Sequence, residues 1–461
     1  MKFSKFGQKF TQPTGISQLM DDLGDALKSD KPVNMLGGGN PAKIDAVNEV
    51  FLQTYQALGE DILNAERDAS VEEKHSDNTA LNSMSNYSNP QGDAAFIDAL
   101  VDFFNRHYDW NLSADNIALT NGSQNAFFYL FNLFGGAFSD NKLDEHGQDK
   151  ESQSVDKSIL LPLAPEYIGY SDVHVDGQHF MSVLPHIDEV THDGEEGFFK
   201  YRVDFEALEN LPALKEGRIG AICCSRPTNP TGNVLTDEEM NHLAEIAKRY
   251  DVPLIIDNAY GMPFPNIIYS DAHLNWDDNT ILCFSLSKIG LPGVRTGIIV
   301  AAPKVIAAVS AMNAVVNLAP TRFGAAIAKP LVENDRIKQL SDNDIKPFYQ
   351  QQAKLAVKLL KEALGDYPLM IHKPEGAIFF WLWFKDLPIT TLELYERLKE
   401  KGTLVVPSQF FFPGVDVSDY QHAHECIRMS IAADEQTLTD GIAVIGEVVR
   451  ELYDEAANKN S

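Results

Sequence analysis

Residues 219–257 read IGAICCSRPTNPTGNVLTDEEMNHLAEIAKRYDVPLIID, and the succession of patterns in them decides the fold. The apolar run from Ile219 to Cys224 has the length of a buried strand and stops at SRPTNPTG, a stretch of turn-forming residues. Thr236 with Glu239 three positions on is a capping box, so a helix starts there. Met240, Leu243, Ala244, Ala247 and Tyr250 then recur on one helical face. VPLII is a second buried strand, ending at Asp257. Downstream, ILCF leads to Ser285 and GIIVAA runs to Ala302. Strand, turn, helix, strand is the grammar of a parallel sheet. Such sheets bind ligands at the carboxyl ends of their strands. Asp257, Tyr260, Ser285, Lys288 and Arg295 all fall just after predicted strands.

Working outward, the chain of 461 residues is long enough for two or three domains at about 150 residues each. Three hydrophilic stretches, Glu66 to Asn86, Ser139 to Lys157 and Ile187 to Glu196, hold too few large apolar residues to offset their ordering entropy and are expected as surface loops. The character changes from about Ala325, with a long helical stretch through Lys346 to Gly365 followed by the apolar strand AIFFWLWF. The expected organisation is an N-terminal segment, 1–48, that helps complete a small domain, a large domain over 49–325, and a C-terminal small domain over 326–461.

Composition narrows the partners. With 44% hydrophobic and 23% charged residues the chain is globular, and a net charge of -28 argues against a protein that grips nucleic-acid backbones. Four irregularly spaced cysteines make neither a disulfide framework nor a metal site and fit a reducing compartment. Cys223 and Cys224 alternate faces of one strand and read as core. His422 and His424 have no ligand cluster around them, so no metal is expected. The longest apolar run, Gly376 to Phe384, falls well short of the ~20 residues that span a bilayer. A cytoplasmic protein without membrane contact is the expectation.

The chemistry concentrates around Lys288, in SLSKIGLPGVR. A lysine alone in such a turn reads as a surface residue. With Ser285 before it and Arg295 seven positions after it, the three match the needs of an aldehyde cofactor that bears a phosphate, since a desolvated lysine forms Schiff bases. In LTNGSQNAFFYLFNLFGG, Gly122, Ser123 and Gln124 open an amphipathic helix whose free N–H groups suit an anion. Asp257 and Tyr260 would bring a carboxylate and a phenol to one ligand, and Asn229 of the turn offers an amide.

The segments LGGGNP, NYSNPQG, NGSQNAFFY, APEYIGY, SRPTNPTG, IIDNAYG, SLSK with Arg295, KPEGAIFFWLWF and CIRMS together resemble the fold-type I, pyridoxal-phosphate-dependent class I/II aminotransferases, from about Gly37 to Arg428. The wording of LGGGNPA, PLAPEYIGY and HKPEGAIFFWLWFKDLPITT is most similar to the branch that exchanges amino groups between valine and pyruvate. The resemblance implies an α/β fold with a three-layer αβα large domain around a mostly parallel sheet, plus a smaller α+β domain. It implies pyridoxal 5'-phosphate joined to Lys288, which also moves the proton at the substrate α-carbon. Asp257 would hold the pyridine nitrogen protonated, Asn229 and Tyr260 would bond the ring hydroxyl, and Tyr167 would stack on the ring. Gly122, Ser123, Gln124, Ser285 and Arg295 would hold the phosphate. Arg428 would clamp the substrate carboxylate, Gly38 and Gly39 would close over it, and Tyr87 would reach the phosphate of a second subunit, so a homodimer is implied.

The expected reaction is ping-pong transamination between L-valine and pyruvate, with small amino acids and 2-oxo acids as partners. Related expectations are β-elimination as in a C–S lyase, or transamination of other neutral or aromatic amino acids. A regulator built on the same scaffold would need a basic DNA-binding segment ahead of the glycines that begin after Leu36, and would have no use for Lys288, Asp257, Arg295 and Arg428 together. Arg226 stands where many relatives carry a neutral residue, and it either touches substrate or supports its turn.

Overall fold

A computed structural model describes residues 1–9, 11, 24, 33–68, 86–139, 154–175 and 179–459. Its main sheet has eight strands in the order Ile117–Thr120, Gly297–Val300, Thr280–Ser285, Leu254–Asp257, Ile219–Ser225, Val155–Leu161 and Gly136–Phe138, with Phe180–Ser182 also paired to Val155–Leu161. Thr280–Ser285, Leu254–Asp257, Ile219–Ser225 and Val155–Leu161 run parallel to one another, while Gly297–Val300 is antiparallel to both its neighbours. Register pairs Ser225 with Asp257 and Ser285 with Gly297, which pairs in turn with Thr120. The carboxyl ends of four strands therefore meet along one edge.

Side-chain alternation along these strands makes the layers. Ala118, Cys223, Ile255, Cys283 and Ile299 bury into a core with Phe127, Tyr129, Phe131, Ile306 and Val309, from helices Ser123–Phe134 and Pro303–Val316. Their neighbours Leu119, Cys224, Ile256, Phe284 and Ile298 enter the opposite core with Phe96, Leu100, Leu243 and Ile246, from helices Ala94–Tyr108 and Asp237–Arg249. The result is the expected αβα stack, with Cys223 and Cys224 on opposite faces. The capping box forms as the sequence predicts: Thr236 Oγ1 accepts from the Glu239 amide at 3.2 Å and Glu239 Oε2 from the Thr236 amide at 2.8 Å.

A second sheet of six strands has the order Val406–Pro407, Cys426–Ser430, Phe379–Phe384, Leu369–His372, Glu195–Arg202 and His186–His192. The last two strands correct an expectation. The charged stretch Ile187 to Glu196 is not a surface loop but most of a β-hairpin closed at Asp193 and Gly194, both with positive φ. Asp-Gly is the favoured pair for such a two-residue turn. The polar residues that suggested a loop face solvent on the outermost strand, while Phe198, Phe199 and Tyr201 face the core. Of the other two hydrophilic stretches, residues 69–85 and 140–153 lie outside the described residues, and Val155–Lys157 opens a strand.

The N-terminal part of the chain joins this region. Asn34–Met35 pairs in parallel with Thr403–Leu404, and the Ser430 amide donates to Leu36 O at 2.7 Å. Helices Lys346–Leu364 and Glu435–Lys459 pack along each other, and the second also packs against Asn34–Met35 and Thr403–Leu404. No described helix is long and apolar enough to cross a membrane.

Candidate active site

The strand edge described above opens into a cavity of about 230 Å³. Asp257, last residue of its strand, lies on the cavity floor. Its Oδ1 accepts from the Ala259 amide at 3.0 Å and its Oδ2 from the Tyr170 hydroxyl at 2.9 Å. Burial raises its pKa to about 6, although those two bonds and the charge of Lys288 pull the other way. Both recorded partners of this carboxyl are neutral groups, so it suits a cationic ligand atom.

Lys288 stands beyond Ser285, with Nζ donating to Gly39 O at 2.6 Å and lying 5.4 Å from the centroid of the Tyr260 ring. Burial lowers its pKa to about 8, helped by the charges of Arg428 and Arg295 and opposed by Asp257. The structure thus places it inside the site rather than on a surface turn.

At the opposite end, helix Ser123–Phe134 starts at the cavity with Gly122 as its N-cap. Gly122 has φ of 89°, and a Cβ there would come within 2.4 Å of Arg295 Nη2, so only glycine lets the guanidinium close over the helix start. Gly297 is equally constrained, because a Cβ would press on the Ser123 amide at 2.9 Å. Ser285 Oγ accepts from the Ser287 amide at 3.1 Å and both serines line the cavity. Gln124 lines it too, with Nε2 donating to Gly169 O at 3.0 Å, which ties the helix to the Tyr167 turn.

Arg428, in strand Cys426–Ser430, is buried. Its Nη1 donates to Asn229 Oδ1 at 2.9 Å and its Nη2 to Gly37 O at 2.6 Å. Its guanidinium carbon lies 4.2 Å from the centroid of Phe379 and 5.2 Å from that of Phe411. Burial lowers its pKa to about 10, so it remains a cation at neutral pH. Nε is a buried donor without a partner among the described residues.

Tyr167, Asn229 and Tyr260 complete the wall. Gly38 is outside the lining, where Gly37 and the expected Gly39 take part; Gly122 is outside it too, as N-cap of the helix that Ser123 opens; and Tyr87 is 79% exposed on the surface of the single chain. Arg226 turns away from the cavity: Nε donates to Leu235 O, Nη1 to His273 O and Nη2 to Asp237 Oδ1, each at 2.7 Å, so it supports the turn. His422 bonds the Tyr201 hydroxyl in the core, and no group of three or more metal-ligating side chains occurs among the described residues. Sequence reasoning missed Gly37, Tyr170 and Ser287. Tyr170 carried a local signal, standing three residues after Tyr167 on the same turn.

These features fit pyridoxal 5'-phosphate. The helix start under Arg295 suits a dianion, the uncompensated Asp257 suits a protonated ring nitrogen, and Lys288 lies within the same cavity. The family described as aminotransferase class I and II matches residues 192–445. The chain is 43% identical over 456 residues to valine–pyruvate aminotransferase of Escherichia coli K12, covering 99% of this chain and 100% of that one. The chain belongs to the class I and II aminotransferases.

Two solved structures extend the comparison. A putative amino-acid aminotransferase from Psychrobacter arcticum superposes with a TM-score of 0.91 at 84% identity, covering 98% of this chain and 99% of that one. Valine–pyruvate aminotransferase from Salmonella typhimurium superposes with a TM-score of 0.80 at 42% identity, covering 95% and 100%. The aminotransferase therefore has the fold-type I architecture implied by its motifs, and its cofactor is pyridoxal 5'-phosphate.

Proposed function

We propose that this aminotransferase moves the amino group of L-valine to pyruvate, reversibly, giving 2-oxoisovalerate and L-alanine in two half-reactions at one site. The observation that carries this reading is the full-length 43% identity to a valine–pyruvate aminotransferase, joined to a buried arginine clamp that shares a small cavity with Lys288. Bound here, the cofactor supplies an aldehyde that exchanges with amines and a ring that draws electrons from the substrate α-carbon. Gly122, Ser123, Gln124, Ser285 and Arg295 would hold its phosphate. Tyr167 would pack against the ring, Asn229 and Tyr260 would bond the ring hydroxyl, and Asp257 would keep a proton on the ring nitrogen. Lys288 would anchor the cofactor, and its Nζ would carry the proton at the substrate α-carbon. Its lowered pKa leaves an appreciable share of neutral amine at physiological pH. Arg428 receives the substrate carboxylate, with the Gly37 to Gly39 backbone closing above it.

The test is production of alanine from valine and pyruvate by the purified holoenzyme, in both directions. Release of pyruvate and ammonia from a cysteine-type substrate without any 2-oxo acid acceptor would instead favour elimination. Preference for an aromatic donor would keep transamination and move the substrate.

Arg428→Lys tests the clamp. A lysine keeps the charge but not the planar fork, so kcat/KM for valine should fall about 100-fold, mostly through KM, with the visible spectrum of the bound cofactor unchanged. An unchanged KM would remove Arg428 from the carboxylate site.

The same reading makes the enzyme a homodimer, supported by the exposure of Tyr87 together with Leu52, Val315 and Leu318, and a single-chain mass in solution would overturn it. Four buried, unpaired cysteines support a cytoplasmic location.

A further inference from the structure

Glu166, the residue before Tyr167, is only 1% exposed, and no role assigned so far uses its carboxyl. Oε1 accepts from the Ser225 amide at 2.8 Å, and Oε2 lies 2.6 Å from Ser225 Oγ and accepts from the Tyr167 amide at 3.2 Å. Its own amide donates to Phe411 O at 2.8 Å. These bonds tie together three parts of the site: the turn that carries Tyr167, the strand end that leads into the Asn229 turn, and the segment whose Phe411 ring faces Arg428.

All of these partners are uncharged. Enclosure away from water with no cationic partner favours the neutral form of this carboxyl. The titratable groups around it are Tyr167 and Tyr170 on its own turn, Cys223 and Cys224 on the adjacent strand, and Asp257 on the next. Burial raises the phenols and thiols, so Asp257 is the neighbour that ionises near neutrality, and its charge opposes a second one beside it. Burial, with the charge of Asp257 adding to it, pushes Glu166 up to about 8, against the pull of the bonds from Ser225 and Tyr167. The 2.6 Å contact links Glu166 Oε2 to Ser225 Oγ, so a carboxylic O–H there has an acceptor within reach.

We propose that Glu166 is a positioning residue that works as a neutral acid: it shares its proton with Ser225 Oγ, fixes Tyr167 and the Ser225 strand end, and leaves Asp257 as the single anion facing the cofactor ring. The inference rests on the cofactor placement proposed above. Were Glu166 to ionise, Asp257 would be pushed toward holding a proton itself, and the anion beneath the ring nitrogen would be weakened.

Two measurements test this. In cofactor-free protein, the infrared difference between native chain and Glu166→Gln at about pH 6.5 should contain the carbonyl band of a protonated carboxyl group, replaced by a carboxylate band at about pH 9.5. A carboxylate band already present at the lower pH would overturn the proposal. In the holoenzyme, Glu166→Gln copies the neutral acid, since its carbonyl can accept from the Ser225 amide and its NH2 can donate to Ser225 Oγ. It should keep kcat and cofactor affinity within about threefold, the loss reflecting the Tyr167 bond. Glu166→Ala should weaken cofactor binding about 30-fold and lower kcat with little change in KM. A glutamine variant as impaired as the alanine one would overturn the proposal, and it remains decisive should the alanine variant fail to fold. Failure of the native chain to take up the cofactor would strike the functional reading and leave the infrared result standing.

Discussion

Lys288→Ala protein is expected to lose kcat/KM for valine by about 10,000-fold or more, because in the proposed function one amine would both anchor the cofactor and move the α-proton. The visible absorption of the lysine-linked cofactor should vanish with it. The fold should not suffer. Lys288 has a pKa of about 8 in the folded chain against an ordinary 10.5, so between those values the unfolded chain binds more protons than the native one. Stability from this group therefore rises as pH climbs from about 8 toward 10.5, and at neutral pH the lysine is a burden that alanine removes. The melting temperature of the variant at neutral pH should equal or exceed that of the native chain. The same shift sets the rate at which cofactor-free native protein captures pyridoxal phosphate, since only the neutral amine attacks an aldehyde. That rate should rise through a midpoint near 8, and a midpoint near 10.5 would contradict the burial of Nζ.

Asp257→Asn is expected to cost about 1,000-fold in kcat, equivalent to about 4 kcal/mol. An amide keeps the shape, with its oxygen accepting from the Ala259 amide and its NH2 donating to the Tyr170 hydroxyl oxygen, but it would place no negative charge beneath the ring. Phosphate contacts at the other end of the cavity are untouched, so cofactor affinity should fall far less than kcat. A loss confined to affinity, with kcat preserved in saturating cofactor, would show that the carboxylate serves only to bind.

The parts of this molecule legible in its sequence are those written locally. Strand ends followed by turns placed Asp257, Ser285 and Lys288 near one another, because parallel strands in register bring their carboxyl ends to one edge. The capping box at Thr236 and the alternation at Cys223 and Cys224 are equally local. What escaped was closure over distance. Nothing near Leu36 announces that it bonds Ser430, or that Gly37 O meets Arg428; those pairings follow from the packing of the two sheets. The hairpin across Asp193 and Gly194 was misread because its solvent face is charged, and composition outweighed the turn signal. Arg226 could not be oriented from its position in a turn, since rotation about one residue decides between cavity and exterior. Glu166 was hidden between two readable neighbours, as burial of a charge-bearing side chain has no signature in a single sequence.

The bond between Arg428 and Gly37 joins positions 391 residues apart. On a ribosome, the phosphate end and Lys288 are synthesised long before the strand Cys426–Ser430 emerges, so the carboxylate clamp is the last part of the site to assemble. A nascent or prematurely terminated chain that stops short of Cys426 would carry the groups that capture the aldehyde without the cation that selects amino acids. The strand that carries Arg428 is thus among the last parts of the site to be synthesised.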